Sequence, residues 1–201
     1  LTGVVSAVRQ YGWADKTLTF AVLIGISIPS FWLGLLLMMF FAVELRWLPV
    51  SGMYAIYGGG DLPDLIRHLI LPSVTLAVVA TGIIARLTRS NMLEVLRQDF
   101  IRTARAKGLD ENRVIYRHAF KAALVNVIPV IGVQAGFVLG GAVYIETVFQ
   151  WPGIGRMLVN AISTRDILLV QGGVVLVAGS YVLFNLFADV IQHLLDPRVK
   201  A

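Results

Sequence analysis

Four long stretches free of Asp, Glu, Lys and Arg constrain this chain more than any other feature. They run from Thr17 to Val43, Leu69 to Ala85, Ala122 to Ile145 and Ile167 to Ala188, with lengths of 27, 17, 24 and 22 residues. A membrane-spanning helix needs about 20 apolar residues at roughly 1.5 Å rise each. Three stretches qualify outright. The second is shorter, but His68 and Arg86 can reach the interfaces from its ends. The alternative, four buried helices of a soluble bundle, requires polar outer faces, and these stretches have almost none. Composition agrees: 57% of residues are hydrophobic and 14% charged, whereas soluble domains carry about 25% charge. The expectation is an all-α membrane protein with about four transmembrane helices.

Basic residues in the connections set the orientation. Before the first stretch lie Arg9 and Lys16, and after the last lie Arg198 and Lys200. The segment from Arg86 to Lys121 holds nine more, whereas the two alternate connections hold only Arg46, Arg67, Arg156 and Arg165. The N-terminal end, the 86–121 loop and the C-terminus are therefore expected on the cytoplasmic side. The net charge of +5 is explained as a topology signal, so no nucleic-acid partner is expected and the bilayer is. Trp47, Tyr54, Tyr57 and Trp151 lie in the two outer connections, where amphipathic rings favour the interface. The outer segment 44–68 reads as a turn-rich loop, with Pro49, Gly52, the triplet Gly58 to Gly60 and Pro63.

The chain has no cysteine, which removes disulfides, thiolate metal sites and cysteine nucleophiles. His68, His118 and His193 are scattered, each near a membrane edge. There is no G-x-S-x-G turn, no H-E-x-x-H pair and no G-x-x-x-x-G-K-[ST] phosphate loop. An enzyme is not expected, nor a metal or cofactor bound by this chain. A gradient-driven secondary transporter or channel is the alternative class. Such proteins usually place an ionisable residue or a broken-helix ion site at mid-membrane, which the charge-free stretches lack.

Within the spans, Gly132, Gly136 and Gly140 are four apart and share one helix face. Small residues at that spacing let helix backbones approach closely, either against a partner helix or pathway or against another helix of the same chain. Asn126 and Gln134 are candidates to line a pathway, with hydrogen-bonded packing as the plainer role. Glu146 and Asp189 fall near span ends and read as headgroup residues. Pro29 interrupts the first span and Pro72 lies near the start of the second, where each can kink a helix.

The loop of about 89–121 is the most informative segment. Leu93, Leu96, Phe100 and Ala104 recur on one helical face, and Asn91 with Glu94 resembles a helix start. Gly108 is a natural helix stop. Asp110 can cap a following helix, with Glu111 near its positive end. The pattern predicts helix, glycine turn, helix. Composition alone favours a plainer reading, an amphipathic helix lying solvated at the lipid surface.

The segment from Asp99 to Leu124, DFIRTARAKGLDENRVIYRHAFKAAL, resembles the cytoplasmic EAA loop of ABC-importer permeases, and more narrowly the dipeptide/oligopeptide/nickel branch. Three further stretches are similar to that branch: SIPSFWLGLLL from Ser27, ETVFQWPGIGRML from Glu146 and the ending DPRVK from Asp196. They follow in the right order and cover most of the chain. The general motif has Glu-Ala-Ala six, five and four positions before its glycine. Here those positions hold Arg102, Thr103 and Ala104, a departure typical of the peptide branch. The usual Leu-Pro after the loop is Val125-Asn126, with Pro129 further on.

The resemblance implies a type I importer permease domain over 1–201. Because the chain opens at Leu1 without a leader pattern, it is expected to be a C-terminal fragment lacking the first span and the large outer segment after it. The resemblance also implies that Arg102, Thr103, Ala104, Lys107, Gly108 and Leu109 belong to a coupling helix that docks on an ATPase. The implied partners are two ATPase subunits carrying ATP and magnesium, a second homologous permease and an extracytoplasmic solute-binding protein. The expected location is a prokaryotic inner membrane.

Overall fold

The structure is a computed structural model and describes residues 2–195. It is helical, as the charge-free stretches require, and no strand occurs among the described residues. In chain order the helices are α1 (Thr2–Val8), α2 (Trp13–Ser27), α3 (Ser30–Leu37), α4 (Leu62–Val95), α5 (Asp99–Ala106), α6 (Glu111–Arg113), α7 (Phe120–Val148), α8 (Ile154–Ser163) and α9 (Ile167–Leu195). A π-helical turn, Met38–Glu44, continues α3, and another, Val114–Ala119, joins α6 to α7. The DPRVK ending lies outside the described residues.

Three of the four expected spans appear as long helices: α4, the α6–α7 run and α9. The first differs. Its charge-free stretch is divided at Ser27 to Pro29 into α2 and α3, so it is a span only if the broken pair counts as one. Proline disfavours helical geometry in the residue before it, and Pro29 itself is extended at ψ 133°. The outer loop is also shorter than the composition suggested, because α4 begins at Leu62. His68 is buried, and its Nδ1 lies 2.9 Å from the Asp64 carbonyl within α4.

The described contacts divide the chain into two compact units. The first comprises the chain through Ile26, Thr81–Ala135 and the chain from Leu183; the second comprises Ser27–Ala80 and Gly136–Val182. The core of the first unit brings together Val4 and Ala7 of α1, Met92 and Val95 of α4, Ile101 and Ala104 of α5, and Val114, Ile115, Ala119 and Ala123 leading into α7. In the second unit Ala42, Leu71, Ile145 and Phe149 form the core. There, a Cβ on Gly34 would come 3.1 Å from the Phe149 ring, so glycine lets α3 approach it closely. The Phe149 carbonyl accepts the Gly52 N–H at 2.8 Å and anchors the outer loop. Most of α9 stays uncovered by the chain, with only 6% of its most apolar window buried. A helix apolar on all sides belongs in lipid or against another subunit.

Candidate functional site

The loop after α4 folds as helix, glycine turn and helix, but in a different register from the one its sequence suggests. Asn91 does not start a helix. It lies inside α4 and donates its side-chain N–H to the Leu87 carbonyl at 3.0 Å. The chain breaks after Val95, and α5 begins at Asp99, whose carboxylate sits in the positive first turn. That break disrupts the Leu93, Leu96, Phe100, Ala104 face. Ile101 and Ala104 are buried instead, Leu93 and Leu96 are partly covered, and Phe100 is 43% exposed.

Helix α5 ends before the expected coupling segment does. Lys107 caps it, and Gly108 takes a left-handed φ of +75°. The Gly108 N–H donates to the Arg105 carbonyl at 2.9 Å and the Leu109 N–H to the Ala104 carbonyl at 3.4 Å. This pair of bonds is the Schellman ending, which satisfies carbonyls left over at the helix terminus. A Cβ at Gly108 would meet nothing within 4 Å. Glycine is therefore required there by backbone conformation and not by space within the chain. Leu109 turns back against the core of the first unit. Asp110 then caps α6 as expected, accepting the N–H groups of Asn112 at 3.0 Å and Arg113 at 3.4 Å.

The two sides of α5 have opposite chemistry. Ile101 and Ala104 fasten it to α4 and to the start of α7. Arg102, Thr103, Arg105, Ala106, Lys107 and Gly108 are exposed. Arg105 is not free for a partner, because it forms a forked pair with Glu111 across the glycine turn, at 2.6 Å and 3.1 Å. That carboxylate pushes the Arg105 guanidinium above its already high pKa, so the cation persists. Arg102 lies 3.6 Å from Asp99, a solvent-exposed and hence weak pairing. The Thr103 hydroxyl donates to the Asp99 carbonyl at 2.9 Å. Arg102 and Lys107 thus remain available cations, and the rings of Phe100 and Tyr116 in the same loop are also exposed. Neither ring stands out in the sequence pattern. The signal was the buried pair Ile101 and Ala104, which turns Phe100 outward once the helix is started at Asp99.

The glycine stripe does not act as one surface. In the first unit, a Cβ at Gly132 would lie 2.6 Å from Ala188 Cβ on α9. In the second unit, a Cβ at Gly136 would fall into the Tyr181 ring. Both are close-packing positions of α7 against α9 of the same chain. Gly140 meets nothing within 4 Å and is exposed. Gln134 is buried, and its Nε2 has no hydrogen-bond partner among the described residues. Asn126 donates to Asn91 Oδ1 at 3.0 Å, a bond from α7 to α4. Glu146 has a partner within the chain. Its carboxylate accepts the Arg156 N–H at 2.9 Å at the start of α8, in a cradle where Gly153 and Gly155 leave room for it. No group of three or more His, Asp or Glu side chains among the described residues is placed to hold a metal ion.

Comparison with known proteins gives three findings. A family model described as "Binding-protein-dependent transport system inner membrane component" matches residues 1–201. The dipeptide transport system permease protein DppB of Alkalihalophilus pseudofirmus is 46% identical over 98% of this chain, and the di/tripeptide permease DppB of Pseudomonas aeruginosa 44% identical over 100% of it. This chain spans 65% of the length of each. Among solved structures, the MetNI methionine ABC transporter in an inward-facing conformation superposes with a TM-score of 0.74, covering 97% of this chain and 84% of the MetNI chain at 19% identity. The fold is that of a type I ABC-importer permease.

Proposed function

The chain belongs to the family of binding-protein-dependent transport system inner membrane components, and from that premise we propose that it is the permease subunit of an ATP-driven peptide importer. It is a multi-pass membrane protein. Its cargo, on this reading, is a peptide or related small solute, the class named for both DppB relatives. It hydrolyses nothing itself. ATP and magnesium act on two separate ATPase subunits, a second homologous permease completes the pathway, and an extracytoplasmic binding protein delivers the cargo. The 86–121 loop faces the cytoplasm, in accord with its basic residues.

The observation that carries this reading is the two-sided build of α5. One face, Ile101 and Ala104, is locked into the core shared by α1, α4 and the start of α7. The other presents Arg102, Thr103 and Lys107 outward and ends at the bare Gly108 turn. A partner groove lined with carboxylates would grip Arg102 and Lys107, while Gly108 would let its backbone approach closely. Because Ile101 and Ala104 are buried in the same apolar cluster as residues of α4 and of the start of α7, moving α5 would move the ends of α4 and α7. Closure of the two ATPases would thereby rock the spans between inward- and outward-open states, a rigid-body switch. The glycines at 132 and 136 act as packing positions that keep α7 and α9 together, and the exposed Gly140 is the remaining candidate of the stripe to face a second subunit or the pathway, while Gln134 is buried within the chain.

The test is reconstitution of the full-length permease with its presumed ATPases, second permease and binding protein in liposomes. Cargo should stimulate ATP hydrolysis, and Arg102→Glu with Lys107→Glu should abolish both stimulation and ATPase co-purification. Stimulation that survives this double reversal removes α5 as the docking element. Uptake that follows an ion gradient without ATP would replace the importer reading with a secondary transporter.

A further inference from the structure

We propose that Asp15 and Arg89 are positioning residues for energy coupling, forming a clamp that makes α2 follow α4 and α5 when the coupling helix is displaced. The inference rests on the permease reading above and adds to it how motion reaches the first apolar stretch.

The geometry is specific. Asp15 is 4% exposed. Arg89 Nε donates to its Oδ1 at 2.7 Å and Nη2 to its Oδ2 at 2.8 Å, a forked grip. The Ser6 hydroxyl of α1 also donates to Oδ1. Thr19 Oγ1 does so at 3.3 Å, and the Tyr11 N–H donates to Oδ2 at 2.9 Å. Arg89 Nε further reaches Ser6 Oγ at 3.1 Å. One carboxylate therefore ties together α1, the turn after it, α2 and α4. Charge-assisted forked bonds of this kind fix orientation as well as distance.

The clamp sits at the beginning of α2, away from the apolar contact that its far end makes, where Ile26 lies close against Gly82 of α4. Helix α1 needs no such tie, since Val4 and Ala7 lie in the same core as Ile101 and Ala104 of α5. A Cβ at Gly3 would also lie 2.8 Å from Thr88 Cβ, so α1 is seated closely on α4. By contrast, α2 buries only Asp15 and Gly25. Its beginning is held to the core-bearing helices by a charge. The turn that precedes it adds a second, independent mark. Tyr11 has a φ of +62°, the left-handed region that a residue with a Cβ occupies only when its surroundings hold it there. The Asp15 carboxylate accepts the N–H of that very residue. The forked bond between a half-buried guanidinium and a buried carboxylate fixes the register of that end of α2. Since α4 ends at Val95 and α5 starts at Asp99, a displacement of α5 reaches Arg89 through less than two helical turns of α4.

The experiment uses the full transporter in liposomes and reads two quantities together: cargo-stimulated ATP hydrolysis, and cargo moved per ATP. Asp15→Asn keeps shape and removes the charge. Arg89→Lys keeps the charge and removes the fork. Both are expected to co-purify with the ATPases at wild-type levels while cargo moved per ATP falls about tenfold, the scale of a typical coupling energy. Exchanging the charges, Asp15→Arg with Arg89→Asp, should recover part of that loss. An unchanged ratio in assembled Asp15→Asn and Arg89→Lys complexes overturns the clamp while leaving the permease reading intact. If neither variant accumulates in the membrane, the pair is a folding requirement and the coupling role is overturned as well. A wild-type complex without cargo-stimulated hydrolysis would instead bring down the permease reading itself.

Discussion

Substitution of Gly108 separates two demands that the α5 turn makes on one residue. The backbone there is left-handed at φ +75°, and a Cβ would meet nothing within 4 Å. Within this chain, then, a side chain at 108 is penalised by conformation alone. An L-residue in that region costs about 1–2 kcal/mol, and asparagine visits it more readily than alanine. That amount shifts the population of the formed turn by a factor of about 5–30. The Arg105–Glu111 pair across the turn is solvent-exposed, so it offsets at most about 1 kcal/mol. Gly108→Ala should therefore lower coupling severalfold, and Gly108→Asn should stay near wild type. Gly108→Trp carries about the same backbone penalty as alanine. It also projects an indole from an exposed turn, where a docked ATPase would have to close on it.

The expected order of cargo-stimulated ATP hydrolysis in reconstituted transporter is wild type, Asn, Ala and, far below, Trp. ATPase co-purification should be lost only with Trp. Equality of Trp and Ala would mean that no partner surface approaches Gly108, and the docking argument fails. Equality of all three variants with wild type would mean that the turn itself is not part of the coupling element.

Three further outcomes follow from the geometry. A Cβ at Gly136 falls into the Tyr181 ring, so Gly136→Ala should lower the thermal stability of the detergent-solubilised protein by about 1–3 kcal/mol through overpacking; Gly140→Ala, with open space around it, should change it by less than about 0.5 kcal/mol. Glu146→Gln keeps the acceptor but removes the charge at the start of α8, which should cost about 0.3–1 kcal/mol, whereas Gly153→Ala should be worse because its Cβ would meet that carboxylate; thermal unfolding of the two variants checks the order. The chain contains no cysteine, so Lys107→Cys supplies the one thiol of this segment, and the full-length protein without the substitution serves as the labelling control. In intact cells it should react with a membrane-permeant maleimide and resist an impermeant one, and the reverse result would invert the topology.

The long helices were legible because lipid imposes a simple rule, that a span excludes charge, and α4, α7 and α9 obey it. The end of α5 was legible for a local reason as well. Gly108 and Asp110 each act within a few residues, through a backbone conformation and a cap, so their chemistry is written in neighbouring letters. The start of α5 was not. Leu93, Leu96, Phe100 and Ala104 keep helical spacing in the sequence straight across residues 96–98, so periodicity gives no sign that the backbone breaks there and that the face shifts. Burial resolved it by placing Ile101 inside and Phe100 outside.

The least legible features are those whose partners are distant along the chain. Glu146 reads as a charge at a span end, and only the fold brings it to the start of α8, where Gly153 and Gly155 clear space for it. Asp15 is a stronger case. In sequence it is one charge beside Lys16, ahead of a charge-free stretch, and nothing nearby distinguishes it from a headgroup contact. Its partner Arg89 is 74 positions away, among nine basic residues that already have a sufficient explanation in topology. The positive-inside bias and the clamp draw on the same residue, and a statistical role hides a specific one. Counting charges by side gives an expected facing for the loop; it takes the pairing geometry to show that one of those arginines, half-buried, grips the Asp15 carboxylate of α2.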